Sequence, residues 1–222
     1  MVDYGRKVWI MVSKYTKYYT FDKPVPYKRL LLYPVKLEDY VEFYTYVDCL
    51  LLEIDAFEGS IEDKIRVIQM KYLDFLFFSD SESNPTITKL YWLLCLMLRK
   101  EKLDFKPYYD DNGHILLVID GENYGWEDFD EIRNIICEQN LIELPNLMVQ
   151  KEIRDNLRKA QELKAREGAR MADMEGQILA VIVATGMSID SIYALTLRKF
   201  RMLVERMVTF IDYKILSTAK LS

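Results

Sequence analysis

MEGQILAVIVATGMSIDSIYALTLRKFRMLVERMVTFIDYK, residues 174–214, is the stretch on which the reading of the fold turns. Ile178, Leu179, Val181, Ile182 and Val183 make its first part apolar almost all round, which predicts a helix buried on most sides. Gly186 stands where a helix closes in the left-handed region, and Ser188 can cap the helix that follows. Thr196 is a second N-cap. After it Phe200, Leu203, Val204, Met207, Ile211 and Ile215 recur at three- and four-residue steps, an apolar stripe along one long helix. Its other face carries Arg198, Lys199, Arg201, Glu205, Arg206, Asp212 and Lys214. Residues 171–222 therefore read as a helical hub made for packing.

Upstream, residues 146–170 differ in kind. Val149, Ile153, Leu157 and Leu163 leave a thin apolar line on an otherwise charged segment, which predicts an exposed helix supported by pairs such as Glu162–Arg166. Residues 36–145 read as a helical bundle. Helices are expected over Leu37–Leu52, from Ser60 to about Phe78, over Thr86–Lys100 with an apolar middle at Leu90–Leu98, and over Trp126–Gln139. Ser79–Pro85 is a polar break, read as a mobile loop. Between the last two helices Asp110-Asp111-Asn112-Gly113 and Asp120-Gly121 bracket the β-prone run Ile115–Ile119. They predict a small antiparallel meander that must lean on the helices, because three short strands do not stand alone. The expected class is mainly α: a helical bundle with an inserted β-meander and a C-terminal helical hairpin.

Residues 1–35 read as an extended basic arm. Lys7–Ser13 is β-prone, Tyr15, Tyr18 and Tyr19 could dock on a neighbour or on the chain's own body, and Pro24 and Pro26 impose an extended path before a short strand at Arg29–Tyr33. The arm has seven basic and two acidic side chains, a net of +5; residues 36–144 have ten and twenty-four, a net of −14; residues 145–222 have thirteen and nine, a net of +4. An acidic middle between basic ends suits contact with a basic partner or self-association of unlike faces. Cys49, Cys95 and Cys137 are too far apart for a disulfide framework or a zinc set and are expected as buried, reduced thiols in a cytosol-like compartment. No secretory leader and no membrane-length apolar run is read.

Chemistry is sparse. His114 is the one histidine and follows a hairpin turn, with neither a second histidine nor a cysteine beside it. Asp110-Asp111-Asn112-Gly113 has no closing carboxylate for a calcium loop, and Glu127–Glu131 is the usual acidic first turn of a helix. Phosphate-cradling and nucleophile-elbow glycine motifs are missing. The expectation is a non-enzymatic protein with no cofactor and no metal. Candidate partner contacts are Tyr40, Phe43 and Tyr44 on the acidic bundle and Met202, Leu203 and Met207 on the hub, where methionine suits an adaptable surface. A competing reading takes residues 174–214 as a helix-turn-helix with Arg198, Lys199 and Arg201 on DNA. The apolar first helix and the full-length stripe of the second make nucleic acid the lesser expectation.

LLLYPVKLEDYVEFYTYVDCLLLE (residues 30–53), FDEIRNIICEQNLIELPN (129–146) and GMSIDSIYALTLRKFRMLVERM (186–207) together resemble a group of proteins encoded among the virion and tail-assembly genes of tailed phages and of prophages of Gram-positive bacteria. The resemblance implies a bacteriophage protein that binds other phage proteins, the tape measure or tail proteins, and works as a tail assembly chaperone in the host cytoplasm. Its alternative is a structural subunit of the virion (tail, neck or baseplate) held by the N-terminal arm. Homo-oligomers are compatible with both, and relatives are expected to continue past Ser222.

Overall fold

The computed structural model describes residues 13–145, four positions between 152 and 159, and residues 174–219, with only the backbone described over 212–219. The chain is mainly helical with two small antiparallel sheets. Its order is α1 (Thr16–Thr20), β1 (Val25–Tyr27), β2 (Leu30–Leu32), α2 (Tyr40–Val47), α3 (Ile61–Gln69), α4 (Tyr72–Phe78), α5 (Thr86–Leu98), β3 (Phe105–Tyr109), β4 (Ile115–Ile119), β5 (Glu122–Tyr124), α6 (Trp126–Gln139), α7 (Met174–Thr185), α8 (Ile189–Tyr193) and α9 (Leu197–Ala219).

The core is built on α5. Leu90, Leu93, Leu94 and Met97 fall at three- and four-residue steps and are all buried, each worth about 1.5–3 kcal/mol of transfer free energy. α2 and α4 lie against α5, and α6 lies against α4. Phe129, Ile132, Ile135 and Ile136 of α6 face inward, as the spacing predicts. Tyr72 crosses this junction: its hydroxyl donates to the Cys49 carbonyl at 2.9 Å and accepts from the Leu52 N–H at 3.1 Å. Its ring stacks on Phe129 and lies under the Arg133 guanidinium at 3.5 Å. The three cysteines are buried and free, and burial pushes the Cys137 thiol up to about 12.

The meander forms as expected, in the order β3–β4–β5. Asp110 closes its first turn by accepting from the Asn112 and His114 N–H groups, with Gly113 at φ +79. It leans on α4 through Asp74, which accepts from the Ile115 N–H at 2.7 Å and meets His114 Nδ1 at the same distance.

Three expectations change. The helix expected from Ser60 to Phe78 is two helices, because Met70 and Lys71 are extended (ψ 149 and 151) with no glycine or proline to announce a break. The break lets Tyr72, Leu73, Phe75 and Leu76 all enter the core, and it leaves Ile65 and Ile68 on the solvent side. The helix expected over Leu37–Leu52 is α-helical only from Tyr40 to Val47, with 3₁₀ turns on either side. The arm also has more structure than an extended path. Residues 13–35 lie along the chain's own body, with Tyr19, Val25, Leu30 and Leu32 buried and β1 paired to β2 in a hairpin. The β-prone stretch at residues 7–12 and most of the charged segment 146–170 lie outside the described residues; within the latter, Ile153 is exposed.

The N-terminal segment is fastened to α6 by carboxylates. Lys28 Nζ and the Tyr27 hydroxyl meet Asp128 at 2.5 and 2.8 Å, and Lys14 pairs with Glu131 at 2.7 Å. Burial alone would raise both acids, but it is outweighed, by Lys28, Tyr27 and the Gly125 N–H for Asp128 and by Lys14 and Tyr15 for Glu131; both sit below their ordinary values of 3.8 and 4.5. A depressed folded-state pKa means stability that is present above the ordinary value and lost as pH falls through the folded one. The protection factors of the amides in residues 14–28, taken relative to intrinsic exchange at each pH, should therefore be high at neutral pH and fall below pH 4.5, ahead of those of α5. Protection factors of these amides that stay level, relative to α5, well below pH 4.5 would contradict this linkage.

Candidate interaction surface

α7 ends as its sequence requires, with Gly186 at φ +69. Ser188 then caps α8 by accepting from the Ser191 N–H, and Thr196 Oγ1 accepts from the Lys199 N–H in the first turn of α9. These caps set α7 and α9 side by side. Ile178, Val181, Ile192, Leu197 and Phe200 are buried, and Leu203, Val204 and Met207 half-buried beneath them. The remaining faces of the pair stay open. From Gln177 to Ser188 the sequence has no charged residue, yet Leu179 and Val183 are 55% and 85% exposed. Met202, Val208 and Ile211 are also exposed on α9. A helix with exposed apolar side chains opposite its buried face is, among the described residues, a candidate contact surface.

Two of the grooves along α9 are mainly apolar. One, of about 370 Å³, has Met187, Leu195, Met202 and Leu203 on its floor, with Arg198, Lys199 and Arg206 at its edge and Tyr19 of α1 closing one end. The other, of about 360 Å³, lies between the end of α7 (Ala184, Thr185) and Met207, Phe210 and Ile211. Arg206 borders both. A wider hollow of about 470 Å³ lies between α2 and α5, around Tyr46, Trp92 and Leu96. Its cations are engaged with neighbours: Lys36 with Glu38, Lys100 with Asp120, and Arg99 over the Tyr33 ring.

The sequence-predicted contacts divide. Met202, Leu203 and Met207 line the grooves of α9. Tyr40 is half-buried against the core, and Tyr44 is 37% exposed with the Arg201 guanidinium over its ring at 5.6 Å. Phe43 is wholly buried and is a core residue, not a contact: α2 turns it inward, edge-on to Tyr44. An apolar residue on the buried face of an amphipathic helix gives no signal that separates it from one meant for a partner, which is why the sequence misplaced it.

The three cations proposed for DNA already have protein partners. Arg198 donates to the Glu138 carbonyl at 2.7 Å and Arg201 to the Leu141 carbonyl at 2.7 Å, while Lys199 pairs with Asp22 at 2.8 Å. The two arginines thus cap the C-terminal end of α6, where its orphan carbonyls and the helix dipole favour cations. Burial lowers the Arg201 pKa from its ordinary value, with Glu205 opposing. Among the described residues no group of three or more histidine, cysteine, aspartate or glutamate side chains is placed to hold a metal ion, and no helix is long and apolar enough to cross a membrane.

Compared with models of known families, with curated proteins and with solved structures, the chain matches none.

If Arg198 and Arg201 are structural caps, replacing both by alanine lowers stability by about 1–3 kcal/mol, mostly through the half-buried Arg201. Urea denaturation followed by circular dichroism measures this. Unchanged stability would mean that the two side chains are free for another role.

Proposed function

We propose that this protein is a non-enzymatic assembly protein that holds another protein on the open apolar surface of α7 and α9. What carries this reading is the uncharged, half-covered face of α7 beside the methionine-lined grooves of α9. Contiguous exposed apolar surface marks protein or membrane contacts and ligand grooves. The grooves flank a helix of 23 residues, and an amphipathic partner helix suits them, its apolar anchors on Met202, Leu203 and Met207 and its acidic side toward Arg206. Methionine is suited to such a floor because it repacks around different anchors.

Together with the resemblance of residues 30–53, 129–146 and 186–207, this points to a tail assembly chaperone of tailed phages, with a tape-measure or tail protein as its client. A chaperone covers its client's apolar segments until assembly and then leaves. The alternative, a virion subunit that grips its neighbour with the basic arm, keeps residues 1–12 for that grip, since residues 13–35 are committed to the chain's own body.

Co-expression with the client tests the reading. The client should be soluble with this protein and insoluble with a variant carrying Met202→Asp and Met207→Asp, and the protein should be absent from purified particles. Its presence in particles at a fixed ratio to the tail proteins would replace the chaperone with the subunit.

A further inference from the structure

Ser13, where the described chain begins, lies beside one end of the α9 groove. It holds the start of α1, its carbonyl accepting from the Thr16 N–H at 2.9 Å and its Oγ from the Tyr15 N–H at 3.3 Å. It shares a hollow of about 420 Å³ with Tyr19, Arg198 and Arg201. Tyr19 and Arg198 also line the groove floored by Met187, Leu195, Met202 and Leu203. Residue 12 therefore joins the described chain one hollow away from that apolar floor.

The residues before Ser13 have the composition such a floor takes. Val8-Trp9-Ile10-Met11-Val12 is an uncharged run of five apolar side chains. Four residues of chain carry Trp9 up to about 14 Å from Ser13. That equals the length of α9 from Leu197 to Arg206, about 14 Å at 1.5 Å per residue. In an extended run Trp9 and Met11 point to the same side, so both can enter together. A tether this short holds the run at a local concentration of about 1 mM beside the groove, enough for a weakly binding segment to fill it. A second copy would offer the same run only at its own, lower concentration. Charge does not help, because Arg6 and Lys7 precede the run and the groove edge carries Arg198, Lys199 and Arg206. The contact is apolar, and it is weak enough to be displaced.

We propose that residues 8–12 dock in the α9 groove of their own chain, with Trp9 and Met11 on Met202 and Leu203, and cover it until a client displaces them. This rests on the reading of the groove as the client's site and adds its regulation. The segment shields the methionine floor while no client is present and sets a threshold of affinity that a client must exceed.

A benzophenone amino acid in place of Trp9 tests the placement in the full chain. After irradiation, mass spectrometry should find cross-links to residues 195–206 within a single chain, and Met202→Asp, with an unchanged circular dichroism spectrum, should remove them. Cross-links to other parts of the chain, cross-links between two copies, or none at all would overturn the proposal. A fluorescent peptide of residues 6–13 tests the occupancy. It should bind the full-length variant with Trp9→Asp and Met11→Asp, whose groove is vacated. For a peptide Kd of about 0.25 mM, a local concentration of about 1 mM predicts binding to the wild type weaker by about fivefold. Equal binding to both proteins, or no binding to the variant, would also overturn it. The client experiment keeps the two readings apart. A client lost with Met202→Asp and Met207→Asp, together with cross-links away from α9, sinks the self-docking and leaves the functional reading standing. A client kept soluble by those same variants, together with cross-links on α9, does the reverse.

Discussion

Four residues of extended backbone, Tyr33 to Lys36, together with Leu37 at the start of the 3₁₀ turn that follows, hold the helical parts of this protein to one another. The Tyr33 N–H donates to the Met97 carbonyl at the end of α5. The Val35 N–H donates to Asn140 Oδ1 just past α6, and the amide of the same Asn140 donates back to the Ile136 carbonyl. Val35 and Leu37 then pair with Leu197 and Leu195 at the entrance to α9, in two bonds of 2.8 Å. Buried peptide groups must find partners, and an unmade bond of this kind costs about 1–3 kcal/mol. The segment can be satisfied only if α5, α6 and the hub are all in place. Pro34 contributes by removing one donor that would otherwise need a partner, and by favouring the extended path.

The same junction explains the placement of the basic residues. Arg198 and Arg201 reach the open end of α6, and Asp22 accepts from Thr196 and pairs with Lys199 at the start of α9. Each helix terminus here meets a side chain of the sign its dipole favours. The hub is thereby locked on its inner side, and its outer side, with Leu179, Val183 and Met202, remains available. Rigidity behind and apolar surface in front is the arrangement that a binding face needs, because less ordering entropy is lost on contact.

Where local rules suffice, the sequence was readable. The caps at Ser188 and Thr196, the turn at Gly186, the meander around Asn112-Gly113 and the inward face of α6 all follow from side chains acting within a few residues. What was hidden depended on distant partners. The break at Met70–Lys71 has no breaker residue, and just past it Tyr72 reaches the Cys49 carbonyl and the Leu52 N–H, about twenty residues away in sequence. Ile61, Ile65 and Ile68, on the helix before that break, face solvent. Of the candidate contacts, the hub methionines lie at the grooves, Phe43 is packed in the core, and Arg198 and Arg201 donate to carbonyls at the end of α6. The side-chain hydrogen bond from Val35 to Asn140, 105 residues apart in sequence, leaves no local trace at all.

Native-state hydrogen exchange at the amides of Tyr33, Val35, Leu37 and Leu197 tests this account most directly. If the segment ties the fold together, these four exchange only through global unfolding, with the same opening free energy as the core amides of α5 and α6. Exchange through a cheaper local opening that leaves α5 and α6 protected would show that the helices hold together without it.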